Sequence, residues 1–220
     1  MSRQLLNPSR LLGAAILWLI ALGPTTAQAS STDDGAYGRL DGDLGLSLQT
    51  GVAETFPGES LQLRGAISYL STAGLYLRYN DSLEAAAQPI LRAIGGGVEL
   101  WPLFLGRFAE DLERGPALLD LFVDSLSLSL GFFQAWLAGA QCPNPSGVTC
   151  TELDMEAGLS VELPLLPSST GPFIALHGAL TWPLGEARSH REMGGRLALC
   201  LGYRQLLDAH LVDAADRLPR

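Results

Sequence analysis

The chain has 220 residues with a formal net charge of −9, and all 14 of its basic residues are arginine. The acidic balance gives no basic footprint and excludes nucleic acid as a partner. Beyond the N-terminus no segment offers about 18 consecutive uncharged apolar residues, which excludes a later spanning helix.

Residues 1–29 read as a signal peptide. Arg3 and Arg10 form a positive n-region, Leu11 to Leu22 an apolar h-region, and Ala27-Gln28-Ala29 a small-residue cleavage site. Cleavage removes two arginines and no acid, moving the net charge from −9 to −11. Residues 30–40 follow as a flexible leader rich in Ser, Asp and Gly.

From residue 41 to 205 the dominant pattern is alternation of large apolar with small or polar residues. Leu44-Gly45-Leu46-Ser47-Leu48-Gln49 and Ser125-Leu126-Ser127-Leu128-Ser129-Leu130 are clear examples. A period of two marks β-strands, because successive side chains point to opposite faces of a sheet. The spacing predicts strands near 42–50, 60–70, 73–80, 90–101, 124–136, 157–165, 172–183 and 193–204, separated by turn chemistry such as Pro57-Gly58 and Asn80-Asp81-Ser82. Gly95-Gly96-Gly97 falls inside a strand, so it reads as relief of crowding and not as a nucleotide loop. Residues 103–122 predict a short amphipathic helix between the fourth and fifth strands, and 206–220 a helical tail. Cys142 and Cys150 bracket a Pro/Asn/Gly loop in an exported chain, which predicts a disulfide; Cys200 reads as a buried free thiol.

The two parities differ in kind. One is leucine-rich (Leu61, Leu63, Ile67; Leu75, Leu77; Leu126, Leu128, Leu130; Leu197, Leu199, Leu201) and carries Tyr69, Tyr79, Trp136, Trp182 and Tyr203 at strand ends. Aromatic rings at that level form the girdle of a membrane barrel. The other parity is small, with Gly45, Ser47, Ser127, Ser129, Ala198 and Gly202, and suits a narrow lumen better than a wetted surface. On it lie Asp43, Glu99 and Glu162 with Arg64, Arg78 and Arg196, predicting an interior ionic network, since confined charges must be paired. The fold class expected is an all-β, antiparallel up-and-down transmembrane barrel of about eight strands with a filled interior. Arg92 points outward at a strand start, where it can snorkel.

With these features the chain resembles the small eight-stranded outer-membrane barrels, the family of the OmpA transmembrane domain and OmpX. The resemblance covers about residues 40–204 and rests on pattern. It implies meander topology, residence in the bacterial outer membrane, insertion by the outer-membrane assembly machinery, and short turns at one end with longer loops at the other. The chain departs from it in the long 103–122 connection and in ending Leu218-Pro219-Arg220 well beyond Tyr203.

No catalytic motif stands out, and no cofactor or metal is implied. His177 has inward parity and reads as a hydrogen-bonded structural histidine. His190 lies in a loop beside Ser189, and His210 in the tail. Asp41-Gly42-Asp43 is too short for a calcium loop. The expected role is therefore non-enzymatic: membrane lipid around the barrel and a structural or surface-interaction function through loops 81–89, 184–192 and above all 137–156. Two rivals stand beside it. A soluble lipocalin-like barrel needs the apolar parity inside, and a lipid-modifying barrel enzyme needs His177 or His190 beside a Ser and an acid.

Overall fold

The alternating segments form eight strands in a computed structural model of the chain, which describes residues 44–55, 58–83, 90–110, 112, 116–138, 149–184, 193–207 and 209. The strands are β1 (Leu44–Thr55), β2 (Glu59–Tyr69), β3 (Ala73–Ser82), β4 (Ile90–Leu100), β5 (Ser127–Ala138), β6 (Thr149–Pro164), β7 (Gly171–Leu184) and β8 (Gly194–Leu207). Each is antiparallel to the one before. β8 returns to pair with β1, from Leu44 opposite Leu207 to Thr55 opposite Arg196, so the meander closes into a barrel. Closure leaves no unpaired sheet edge.

Several boundaries differ from the sequence reading. β1 runs on to Thr55 and β6 begins at Thr149, so the hairpin arms project further than expected and half of the 137–156 segment is strand. Leu206 and Leu207, read as the start of a helical tail, belong to β8 because Gly45 and Leu44 of β1 continue the ladder opposite them. Ladder pairing outweighs the local helical spacing there. The 103–122 helix is two helices, α1 (Pro102–Ala109) and α2 (Ala117–Asp124). Pro102 opens α1 at a position where its missing N–H costs nothing, while Pro116, in extended backbone, separates the two. The expected signal peptide and leader, Asp43, Cys142 and with it the expected disulfide to Cys150, His190, His210 and the tail beyond Ala209 lie outside the described residues.

One barrel end carries the start of β1, the end of β8, the β2–β3 turn, α1 with α2, and the 165–170 turn. In the β2–β3 turn Leu70 and Ser71 take left-handed φ values of 46° and 52°, and Thr72 N–H closes it by donating to the Tyr69 carbonyl at 3.0 Å. At the other end lie the end of β1, the start of β2, the end of β3, the start of β4, the end of β5, the start of β6, the end of β7 and the start of β8.

Side-chain parity is kept around the barrel, and the apolar parity faces out. Leu77 is 72 % exposed whereas its neighbour Arg78 is 5 % exposed. Leu63, Leu75, Leu128, Leu130, Leu159, Leu197, Leu199 and Leu201 are all on the outside. This orientation is opposite to what a lipocalin-like reading requires. Inside, large residues sit opposite small ones: Glu156 faces Gly131, Arg78 faces Gly95, Arg196 faces Ala179, and Arg204 faces Gly171. The glycines of β4 are needed for space. A Cβ on Gly97 would lie 2.1 Å from the Leu130 carbonyl oxygen, and one on Gly95 2.2 Å from Phe133 Cβ.

Candidate functional site

Among the described residues, the lumen gathers charged groups from many strands. Arg64 of β2 donates to Glu99 of β4 at 2.7 Å, and its guanidinium stacks 4.5 Å from the Tyr76 ring centroid. The other Glu99 oxygen accepts from Ser127 Oγ at 2.5 Å and Ser160 Oγ at 3.1 Å. Ser127 and Ser160 are themselves 2.5 Å apart. This carboxylate therefore ties β2, β4, β5 and β6 together.

A second group centres on Glu156 of β6. It bonds Arg78 of β3 from across the barrel, and Arg196 Nη2 of β8 approaches its two oxygens at 3.2 Å. Arg196 Nη1 also donates to Gln62 Oε1 at 2.5 Å, and Gln62 Nε2 lies 3.3 Å from Cys200 Sγ. Arg78 stacks 5.0 Å from the Phe133 centroid. A third pair, Arg204 of β8 with Glu162 of β6, lies at the α1–α2 end, where Arg204 stacks 5.2 Å from the Phe173 centroid. His177 of β7 completes the connections: its Nε2 is 2.6 Å from Gln49 Oε1 of β1. Every strand thus contributes to a hydrogen-bonded mesh across the interior.

Partnering of this kind is what makes buried charge tolerable. Taking an ion out of water costs several kcal/mol after relaxation, and removing one member of a buried pair typically costs about 3–5 kcal/mol. Arg64 and Arg78 illustrate the need, because they sit directly opposite each other on β2 and β3. Two like charges in register repel, and here carboxylates from the opposite walls offset that.

The structure brings Arg64 to Glu99 as one pair from the expected set. It does not bring Arg78 or Arg196 to Glu99 or Glu162; both converge on Glu156, and Asp43 lies outside the described residues. Glu162 instead meets Arg204. Glu156 and Arg204 were the residues missed, and both keep the inward parity of residues already identified: Glu156 precedes Gly158, Ser160 and Glu162, and Arg204 follows Cys200 and Gly202. The expected sixth strand starts at 157, one residue after Glu156, whereas Arg204 is the last residue of the expected eighth strand, 193–204, and was not counted among the inward charges. Glu152 and Asp154 extend the same parity and are also buried. Cys200 is a buried free thiol.

On the outer parity, Tyr69 and Tyr203 lie toward the α1–α2 end and Tyr79, Trp136 and Trp182 toward the other, all half-buried between neighbouring side chains. Tyr79 donates to Asp81 at 3.2 Å, and exposed Arg92 lies 3.5 Å from the same carboxylate. Outward Arg92 thereby finds both a carboxylate and, 5.9 Å away, the Tyr79 ring.

No protein-family model and no curated protein matches the sequence. Solved structures similar in shape include the following three. The N-terminal β-barrel domain of Pseudomonas aeruginosa OprF gives a TM-score of 0.49 at 9% identity, over 74% of this chain and 99% of that one. Ail, the attachment invasion locus protein of Yersinia pestis, in complex with the heparin analogue sucrose octasulfate, gives 0.34 at 9% identity, over 74% and 96%. The de novo designed TMB2.3 gives 0.34 at 12% identity, over 76% and 96%. The closed eight-stranded sheet, polar within and leucine-covered without, is an outer-membrane-type barrel in its own right.

Proposed function

We propose that this chain is a bacterial outer-membrane protein, exported by residues 1–29 and inserted by the outer-membrane assembly machinery. Its barrel is a filled scaffold and not an open pore. Its role is structural or in surface interaction, without catalysis, through the connections at the end remote from α1 and α2. The observation that carries this reading is the inverted polarity of the wall: arginine–carboxylate pairs inside, a leucine belt outside. An eight-stranded barrel leaves room only for side chains, and those of Arg64, Arg78, Arg196 and Arg204 with their carboxylates bridge it. His177 in this reading is a structural histidine held by Gln49.

Expression of the full chain in a Gram-negative host tests the location. The expected result is recovery in the outer-membrane fraction, with a gel mobility that changes on boiling as the barrel unfolds. Recovery in the soluble periplasm contradicts it. Reconstitution in a planar bilayer tests the filled interior, for which steady open-channel conductance is the contradicting result.

A further inference from the structure

The helices α1 and α2 invert the polarity of a water-facing helix. A helix on a soluble protein turns leucine inward and charge outward. α1 and α2 together contain three charged side chains, Arg107, Asp120 and Asp124, and all three turn toward one another. Arg107 Nη1 lies 2.9 Å from Asp124 Oδ1 and Nη2 bonds Asp120. Asp124 is completely buried. The outer positions are Leu103, Leu105, Phe108, Leu118, Leu119 and Phe122, each between 38% and 55% exposed. The strands of the barrel wall follow the same rule, with ion pairs inside and leucine outside.

This apolar surface also continues the wall. α1 follows directly on Leu100 at the end of β4, and α2 leads back to Leu128 near the start of β5, both outward wall residues. The position is fixed. Trp101 N–H donates to the Thr72 carbonyl at 2.9 Å. Ser125 Oγ lies 2.6 Å from the Phe122 carbonyl and 2.8 Å from that of Glu162, and accepts from Glu162 N–H at 2.8 Å. Leu121 and Ser125 share a pocket with Ser168 and Phe173, which sets α2 beside the 165–170 turn. That turn adds Leu165 and Leu166, also exposed, to the same ledge. A contiguous apolar ledge of this sort marks an interaction surface.

We propose that α1 and α2 are an interfacial membrane element, lying at the headgroup–acyl boundary of the leaflet at their end of the barrel, with the lipid of that leaflet as the occupant. Helices of this type bury their apolar face about 5–10 Å into the boundary. The element enlarges the protein's hold on one leaflet only. This inference rests on the membrane reading above, and its test separates the two.

The full chain is reconstituted in phosphatidylcholine vesicles carrying a diazirine near the glycerol end of one acyl chain, irradiated, digested and mapped by mass spectrometry. Adducts on Leu128, Leu130 and Phe132 of the wall are the internal reference. The expected result is adducts on α1 and α2 at a yield comparable to that of the wall, because burial at the headgroup–acyl boundary puts the helices at the depth of the diazirine. A lower yield with the wall still labelled overturns this inference and leaves the membrane reading standing; burial of the helices against a second copy, or against residues 1–43 or 208–220, gives that result. Loss of adducts from the wall as well overturns both.

Discussion

Glu156 and Leu159 are three residues apart in β6, yet they live by different rules. Glu156 is held by two particular arginines from two other strands, and neither can be exchanged without leaving a charge unanswered. Leu159 projects from the outer wall and is half exposed in the isolated chain; its surroundings are whatever fluid apolar medium covers the barrel. The lumen is therefore specified residue by residue, while the wall is specified only by class of side chain. Substitutions on the two faces should differ in kind as well as in size.

The largest effect is expected in the lumen. Glu156→Gln removes the charge shared by Arg78 and Arg196, and should cost about 3–5 kcal/mol in urea unfolding of the reconstituted barrel. A cost near zero would mean that the interior is hydrated enough to screen the arginines. Next comes a charge on the wall. Phe132→Arg, midway along β5, should cost about 2–4 kcal/mol in a bilayer, as at the midplane of a membrane barrel. If this variant is as stable as the parent, the wall does not face lipid. A volume change alone gives the third. Gly97→Ala puts a methyl where the Leu130 carbonyl already stands, and should cost about 1–3 kcal/mol by forcing β4 and β5 to shift. The smallest effect is expected for Leu199→Ile, an apolar exchange on the wall, within about 0.5 kcal/mol by the same unfolding measurement. A loss comparable to that of Gly97→Ala would show the wall packed as tightly as the lumen.

Much of this division was legible in the sequence, because parity is a local property. Once Leu126, Leu128 and Leu130 alternate with Ser125, Ser127 and Ser129, the two faces are separated without any knowledge of the partner strands. Which charge meets which is not local. The Arg78–Glu156 contact joins β3 to β6 across the lumen, and depends on barrel closure and on the stagger between strands that only the closed sheet fixes. Strand ends were a further limit. Turn-forming residues before Glu156 concealed it, while Arg204 closed the expected eighth strand and was not counted among the inward charges, although both keep the inward parity. The inside-out helices were hidden for a different reason: apolar spacing gives the same amphipathic pattern whether the apolar face turns to the protein or away from it. Only the Arg107–Asp120–Asp124 cluster decides the direction.

The inverted wall is tested most directly by tryptophan fluorescence of the reconstituted chain. With Trp101→Phe, the emission of the signal-cleaved protein comes from Trp136 and Trp182 on the outer parity. Lipids brominated along the acyl chain should quench this emission strongly, while aqueous acrylamide should leave it nearly unchanged. Strong quenching by acrylamide with no response to brominated lipid would contradict the account, because the outer face would then meet water.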